Sequence, residues 1–310
     1  MAHDVLLIGT DEGVYRASIG GDDATRVLDS ETVLRVRQFG GAVFAATRSG
    51  LFRSVDSGET WSDLGVPRRE VYSVLLSPDG ERLYAGTHPA HLYVSTDSGD
   101  SWRELEGLQD LPSRESWRLP RHRNEAHVRS LGAHSDAPER VIAGIEVGGV
   151  HVSENNGEAW TERLDGVHND IHHVLVRGVD AYIASCGGGL YRTRDAGQSW
   201  TRLDTDLDHT YFREAFAVGG RLYVAAARDP PPTWGGELGR DAALFESTND
   251  GDTFETVPYP GGPQEFILAW TANADDVLAG TDGGRVLQRT DSEWEMIGSV
   301  PATIRSLSVA

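Results

Sequence analysis

Apolar residues along the chain come in short runs, among them 5–10 (Val-Leu-Leu-Ile-Gly-Thr), 42–47 (Ala-Val-Phe-Ala-Ala-Thr) and 276–281 (Asp-Val-Leu-Ala-Gly-Thr), each bounded by Gly, Asp, Asn, Ser or Pro. Runs of this length, rich in Val, Ile, Leu, Tyr and Phe and punctuated by turn formers, predict β-strands. Two series stand out. One reads 33–37, 71–76, 127–133, 170–176, 211–218, 266–271 and 303–309; the other, one hairpin later, reads 5–10, 42–47, 82–87, 140–145, 181–185, 221–226 and 276–281.

Between the later strands a polar octet returns. It is Ser54-Val55-Asp56-Ser57-Gly58-Glu59-Thr60-Trp61 in its first copy and Ser95-Thr96-Asp97-Ser98-Gly99-Asp100-Ser101-Trp102 in its second. Further copies carry Asn155, Gly157 and Trp160; Asp195, Gly197 and Trp200; and Asn249, Gly251 and Phe254. A short Asp or Asn side chain accepts hydrogen bonds from the amides that follow it, and Gly takes a positive φ at no steric cost. Each octet is therefore a tight turn that delivers an aromatic to a fixed place.

The pattern Ser-x-Asp-x-Gly-x-Thr-Trp resembles the Asp box of the bacterial neuraminidase (BNR) repeat. The chain as a whole is similar to BNR-type β-propellers, which occur in sialidases, xyloglucanases, sortilin-like receptors and photosystem II assembly factors. That resemblance implies an all-β propeller in which the Asp boxes are structural turns; it says little about activity.

The octet aromatics lie at 61, 102, 160, 200 and 254, with a shortened copy (Thr290-Asp291-Ser292-Glu293-Trp294) ending at 294. A base period of about 40, the length of a four-stranded blade, explains three of these gaps, and the other two hold insertions of roughly 18 and 14 residues. Seven blades then fill residues 1–310 as a single domain. Blade 1 is assembled from 1–31 plus 303–310, so that the last strand closes the first blade and protects its edge. The insertions, 109–126 and 228–241, are expected on one face, opposite the Asp boxes. Each holds a Trp, Trp117 and Trp234, read as part of ordered flaps over a channel mouth.

Charge sharpens this picture. There are 48 Asp and Glu against 28 basic residues, all of them Arg, for a net charge of −20. A lysine-free acidic chain resembles the proteins of salt-loving archaea, and it argues against a broad nucleic-acid surface. No long apolar run or leader appears, so a membrane span is not expected and the chain reads as cytoplasmic. The single cysteine, Cys186, excludes an intramolecular disulfide.

Aligning the starts of the inner strands gives one column: Arg35, Tyr72, Arg129, His172, Arg213, Leu268 and Arg305. Guanidinium groups gathered at one mouth would focus positive potential and clamp a carboxylate or phosphate. The competing reading pairs these Arg with the chain's own acids, Glu146, Asp170 and Glu214 among them. The ligand-binding set is thus Arg35, Tyr72, Trp117, Arg129, His172, Arg213, Trp234 and Arg305, and the expected partner is an anionic small molecule or an acidic protein segment.

Catalysis is the alternative. Glu146, Asp170 and His172 end or begin adjacent strands and could handle protons, with Glu146 and His172 as ligands should the unidentified cofactor be a divalent metal. A classical sialidase is disfavoured, since the Phe/Tyr-Arg-Ile-Pro motif that the resemblance would require is absent and the blade count is seven. A xyloglucanase-like glycosidase would be expected as two propellers in tandem. The open alternative is a glycosidase-like or metal-assisted hydrolase or lyase using the same mouth.

Overall fold

The computed structural model describes residues 5–21, 23–235 and 239–310. Residues 1–4 of the expected first blade and 236–238 of the second insertion lie outside the described residues. The fold is all-β: seven antiparallel sheets of four strands each, the blades of a seven-bladed β-propeller. No helix among the described residues is long and apolar enough to cross a membrane.

The chain divides into two compact units, one of residues 1–63 and 207–310, the other of 64–206. In the first unit, Ile304–Val309 pairs with Val5–Thr10, which continues to Gly13–Ser18 and Ala24–Leu28, so the blade drawn from both ends of the chain is observed. Blades 2, 6 and 7 complete this unit, with inner strands Val33–Phe39, Tyr211–Val218 and Ile267–Asn273. The second unit holds blades 3, 4 and 5, with inner strands Val71–Leu76, His127–His134 and Ile171–Val176. Several outer strands are only two residues long, such as Ser62–Asp63 and Arg103–Glu104, which leaves little edge for another chain to extend.

Within each unit, adjoining sheets bury their facing sides against one another. Within the second unit, Leu75, Tyr84 and Leu92 of blade 3 pack with Val128, Val141 and Ile145 of blade 4, and Ile142 and Val152 of blade 4 pack with Val174 and Tyr182 of blade 5. Within the first, Leu6 and Ile8 meet Leu278 and Val286, while Leu7 and Val14 meet Val36 and Val43. Serine hydroxyls stitch adjoining inner strands: Ser73 Oγ donates to the Val128 carbonyl (2.7 Å), and Ser130 Oγ and Ser306 Oγ accept from the Val174 and Val36 amides (3.1 and 2.9 Å).

The octets form the turns between third and fourth strands, and their bonding repeats. In the first copy Thr60 N–H donates to Asp56 Oδ1 (2.9 Å), Gly58 N–H donates to Ser54 Oγ (2.8 Å), and Ser54 donates to the same Asp56 oxygen (2.7 Å). These donors hold the Asp56, Asp97 and Asp195 carboxyls at a pKa of about 2, with the hydroxyls of Thr60, Ser101 and Ser199 as the leading cause. The backbone goes further than expected. The glycine is left-handed, and so is the residue before it: Ser57, Ser98, Asn156, Ala196 and Asp250 all have φ between +56° and +62°.

The turn glycine also meets the preceding blade. A Cβ on Gly58 (φ +85°) would sit 2.5 Å from Leu7 Cδ2, whereas one on Gly80 (φ +76°) would meet nothing within 4 Å. Gly58→Ala is therefore expected to cost ~2–3 kcal/mol in urea unfolding and Gly80→Ala only ~1 kcal/mol, the second reporting backbone strain alone.

Candidate functional site

Each inner pair slips register near the start of the inner strand, between Val71 and Ser73, Val128 and Ser130, Ile171 and His173, Ile267 and Ala269, Val33 and Arg35, Phe212 and Ala215, and opposite Gly9 and Thr10 in blade 1. Such a bulge leaves one residue outside the ladder and re-aims its side chain. The residues passed over are Tyr72, Arg129, His172, Leu268, Leu34 and Arg305, with Arg213 and Glu214 sharing the slip in blade 6. The column read from sequence is thus the bulge column, with one correction. In blade 2 the bulged residue is Leu34, and Arg35 stands one place on, level with Ser73, Ser130 and Ser306. Aligning on the cation hid the better marker, the apolar residue before the bulge (Val33, Val71, Val128, Ile171, Phe212, Ile267, Ile304).

In the first unit, much of the expected positive charge is answered internally. Glu214, 5% exposed, holds Arg35 at 3.6 Å and Arg37 at 3.1 Å, and Arg305 pairs with Asp11. Beside these lies a cleft of ≈ 290 Å³ lined by Tyr211, Arg213, Trp234, Arg240, Asp282 and Arg305, together with Pro231, Leu268 and Thr303. Arg213 donates to the Tyr211 hydroxyl (3.0 Å). Arg240 lies over the Trp234 ring (5.4 Å) and pairs with Asp282 at 2.9 Å. Burial lifts the Asp282 carboxyl above its ordinary pKa, against the pull of the Phe266 amide and Arg240.

The insertion that carries Trp234 is tied at its base. Arg228 bonds Asp241 (2.6 Å), and the Trp234 indole N–H reaches the Asp229 carbonyl (2.8 Å) through the short turn Pro231–Thr233. Trp234 therefore stands half-buried at the cleft with its ring edge-on to Tyr211.

The second unit gathers the other candidates. Glu146 ends the strand Ala137–Glu146, and its backbone bridges to Asp170, two residues before His172. One ligand atom each from Glu146, Asp170 and His172 lies within 4.8 Å of the others. Glu146 is 3% exposed and accepts from His127 Nε2 (2.8 Å), with Arg121 and Arg129 at 3.3 and 3.4 Å. Burial would raise its pKa, but Arg129 and His127 hold the carboxyl well below the ordinary value. His127 is the neutral partner: burial drives its pKa down to about 4 against the pull of Glu146. Its ring lies against that of Tyr72, tilted, with centroids 3.9 Å apart, and the Arg129 guanidinium lies 5.9 Å from the Tyr72 ring.

Trp117 is a correction. It is 2% exposed and belongs to the core with Leu108, Leu111 and Ile145; its N–H bonds Ser113 Oγ (2.9 Å) and its ring lies 5.0 Å from His151. The insertion 109–126 sends Leu111, Trp117 and Ala126 into the core shared by blades 3 and 4, so its Trp is a core residue and not part of a flap. Cys186 is fully buried, and burial pushes its thiol well above the ordinary pKa. His127, Arg121, Tyr211, Arg240 and Asp282 were not singled out from sequence as site residues. Asp282 was hidden in the turn Asp282-Gly283-Gly284, and Arg240 at the far end of an insertion.

Residues 14–162 match the DUF6242 beta propeller domain, just under half of the chain. An 85-residue stretch is 38% identical to a xyloglucanase of Hypocrea jecorina, which covers 26% of this chain and 10% of that protein. Among solved structures, a GH74 enzyme of Niastella koreensis superposes with a TM-score of 0.66 at 16% identity over 93% of this chain and 46% of its own. YCF48 bound to D1 peptide superposes at 0.64 with 15% identity, over 87% of this chain and 84% of that one. The structural likeness is one of fold. The chain spans less than half the length of that GH74 enzyme and a tenth of the xyloglucanase.

The buried imidazoles give the second unit an acid sensitivity. His151 donates from Nε2 to the Gly148 carbonyl (3.0 Å), and burial depresses its pKa from 6.5 to about 4, as for His127. Between those values the unfolded chain binds more protons than the folded one, so stability is lost as pH falls, by up to ~3 kcal/mol per imidazole. The melting temperature is expected to drop from pH 7 to pH ~4.5, and His151→Phe to flatten that drop.

Proposed function

We propose that this chain is a binding propeller whose first-unit cleft takes a small anionic molecule with a flat or apolar ring. The carrying observation is the lining: three guanidinium groups, those of Arg213, Arg240 and Arg305, together with the rings of Trp234 and Tyr211, around ≈ 290 Å³. That volume sits at the lower end of small-molecule sites. Planar guanidinium groups present paired N–H donors that fit carboxylate or phosphate, and an indole face gives a ring something to lie against. Arg305 pairs with Asp11, Arg240 with Asp282, and Arg213 bonds the Tyr211 hydroxyl, so in this reading the three guanidinium groups hold the ligand anion together from positions already fixed by the protein. An acidic protein segment offers the same chemistry on a longer ligand, and YCF48 bound to D1 peptide is a precedent for a propeller of this fold holding a peptide.

The second reading is a glycosidase-like hydrolase, favoured by the 38% identical stretch shared with a xyloglucanase. Among the described residues that line the cleft, Asp282 is the one carboxyl, with the raised pKa that suits a general acid, whereas the paired mechanism needs two. Release of reducing ends from xyloglucan, abolished in Asp282→Asn, would put this reading in place of the first.

Binding is tested by calorimetry and tryptophan fluorescence with citrate, glucuronate and inorganic phosphate as probes. Arg213→Ala is expected to weaken the best of them by ~10-fold or more while leaving the melting profile in place. An unchanged affinity in that variant, or no heat and no quenching from any probe, would count against the cleft as the binding site.

A further inference from the structure

We propose that Glu146, Asp170 and His172, in the second unit, form a site for a divalent transition-metal ion, which displaces Arg121 from Glu146 on binding. The inference is independent of the cleft described above, which lies in the first unit and shares no residue with it.

The donors fit. One imidazole nitrogen and two carboxylates suit zinc or cobalt, and three protein ligands leave an open position for water. His172 Nε2 and Asp170 Oδ1 are 3.7 Å apart, and all three donors lie within 4.8 Å. Ligands at ~2.1 Å from one tetrahedral ion stand ~3.4 Å from each other, so closure needs shifts of order 1 Å. The backbone bridge between Glu146 and Asp170 holds two of the three donors together where blade 4 meets blade 5. Gly187 supplies a second, independent sign. Its φ is not left-handed, so the backbone would accept a side chain; what excludes one is the Asp170 carboxylate, 2.2 Å from where a Cβ would stand. Room is kept for that carboxylate.

Charge sets the terms. Glu146 and Asp170 bring two carboxylates to the site, and Arg121 and Arg129 both stand against Glu146, which also accepts from His127. Arg129 is mostly buried, while the Arg121 side chain is 43% exposed and belongs to the insertion 109–126. Arg121 is thus the cation that an incoming metal ion displaces into solvent. Asp170, 19% exposed, lies on the accessible side.

The test is a titration of the full chain with cobalt(II), whose visible absorption reports coordination by nitrogen and oxygen. One equivalent is expected to bind, Asp170→Asn and His172→Gln each to weaken it at least ~10-fold, and Arg121→Ala to tighten it by about tenfold, since a positive charge close to the ion is removed. Arg121→Ala alters a half-exposed side chain, so its readout survives if a ligand variant fails to fold. The absence of a cobalt(II) band, a band that both ligand variants leave unchanged, or an Arg121→Ala protein that binds no more tightly would each overturn the site.

Discussion

One small interaction underlies the architecture: a side-chain oxygen of Asp or Asn accepting the backbone N–H four residues on, while the preceding Ser or Thr oxygen takes the glycine amide between them. Those two bonds hold a pair of consecutive left-handed residues, a conformation an unassisted backbone resists. Once the turn is held, the aromatic at its end has one position, and the glycine can press against the chain before it, as Gly58 does on Leu7 and Gly157 on Leu105. Repetition of that unit sets the period. The sheets are then brought to a distance at which their apolar faces exclude water, which supplies most of the stability.

A second irregularity, the bulge near the start of each inner strand, decides where chemistry can occur. It turns Tyr72, Arg129, His172 and Arg305 out of the ladder without interrupting the pairing beyond it. Charge then follows a simple rule within each unit. The buried acids Glu146 and Glu214 are each met by two guanidinium groups, since an unpaired buried carboxylate would be costly. In a chain with no lysine, Arg takes every such position, and its fork can serve one carboxylate while stacking on a ring, as Arg129 does between Glu146 and Tyr72.

The sequence made the blades legible because octet, period and strand composition are local. Even the division of blade 1 between distant strands could be read, from the mismatch of a first strand of one series and a last strand of the other. Trp117 could not be placed correctly. A Trp in a long polar insertion reads as exposed, and only the packing of Leu108, Leu111 and Ile145 around it reveals a core. Leu34 and Arg35 were exchanged because residue type guided the alignment, where the bulge follows the preceding apolar residue. The cleft was half visible: Arg213, Trp234 and Arg305 were named from their strands and insertion, but Arg240 and Asp282 meet them only through contacts between segments far apart in sequence. The histidine that neutralises nothing, His127, was unreadable for a similar reason, since its charge state depends on burial.

The bulged position has an evolutionary consequence. Because its residue stands outside the hydrogen-bonded register, the side chain there is a free variable: Leu34 and Leu268 occupy the same kind of place as Tyr72, His172 and Arg305. A lineage could rewrite these seven sites one at a time, trading leucine for acid, base or ring, while the scaffold beneath kept its geometry. Diversity of task in such a protein needs no new loops, only new letters at one rung.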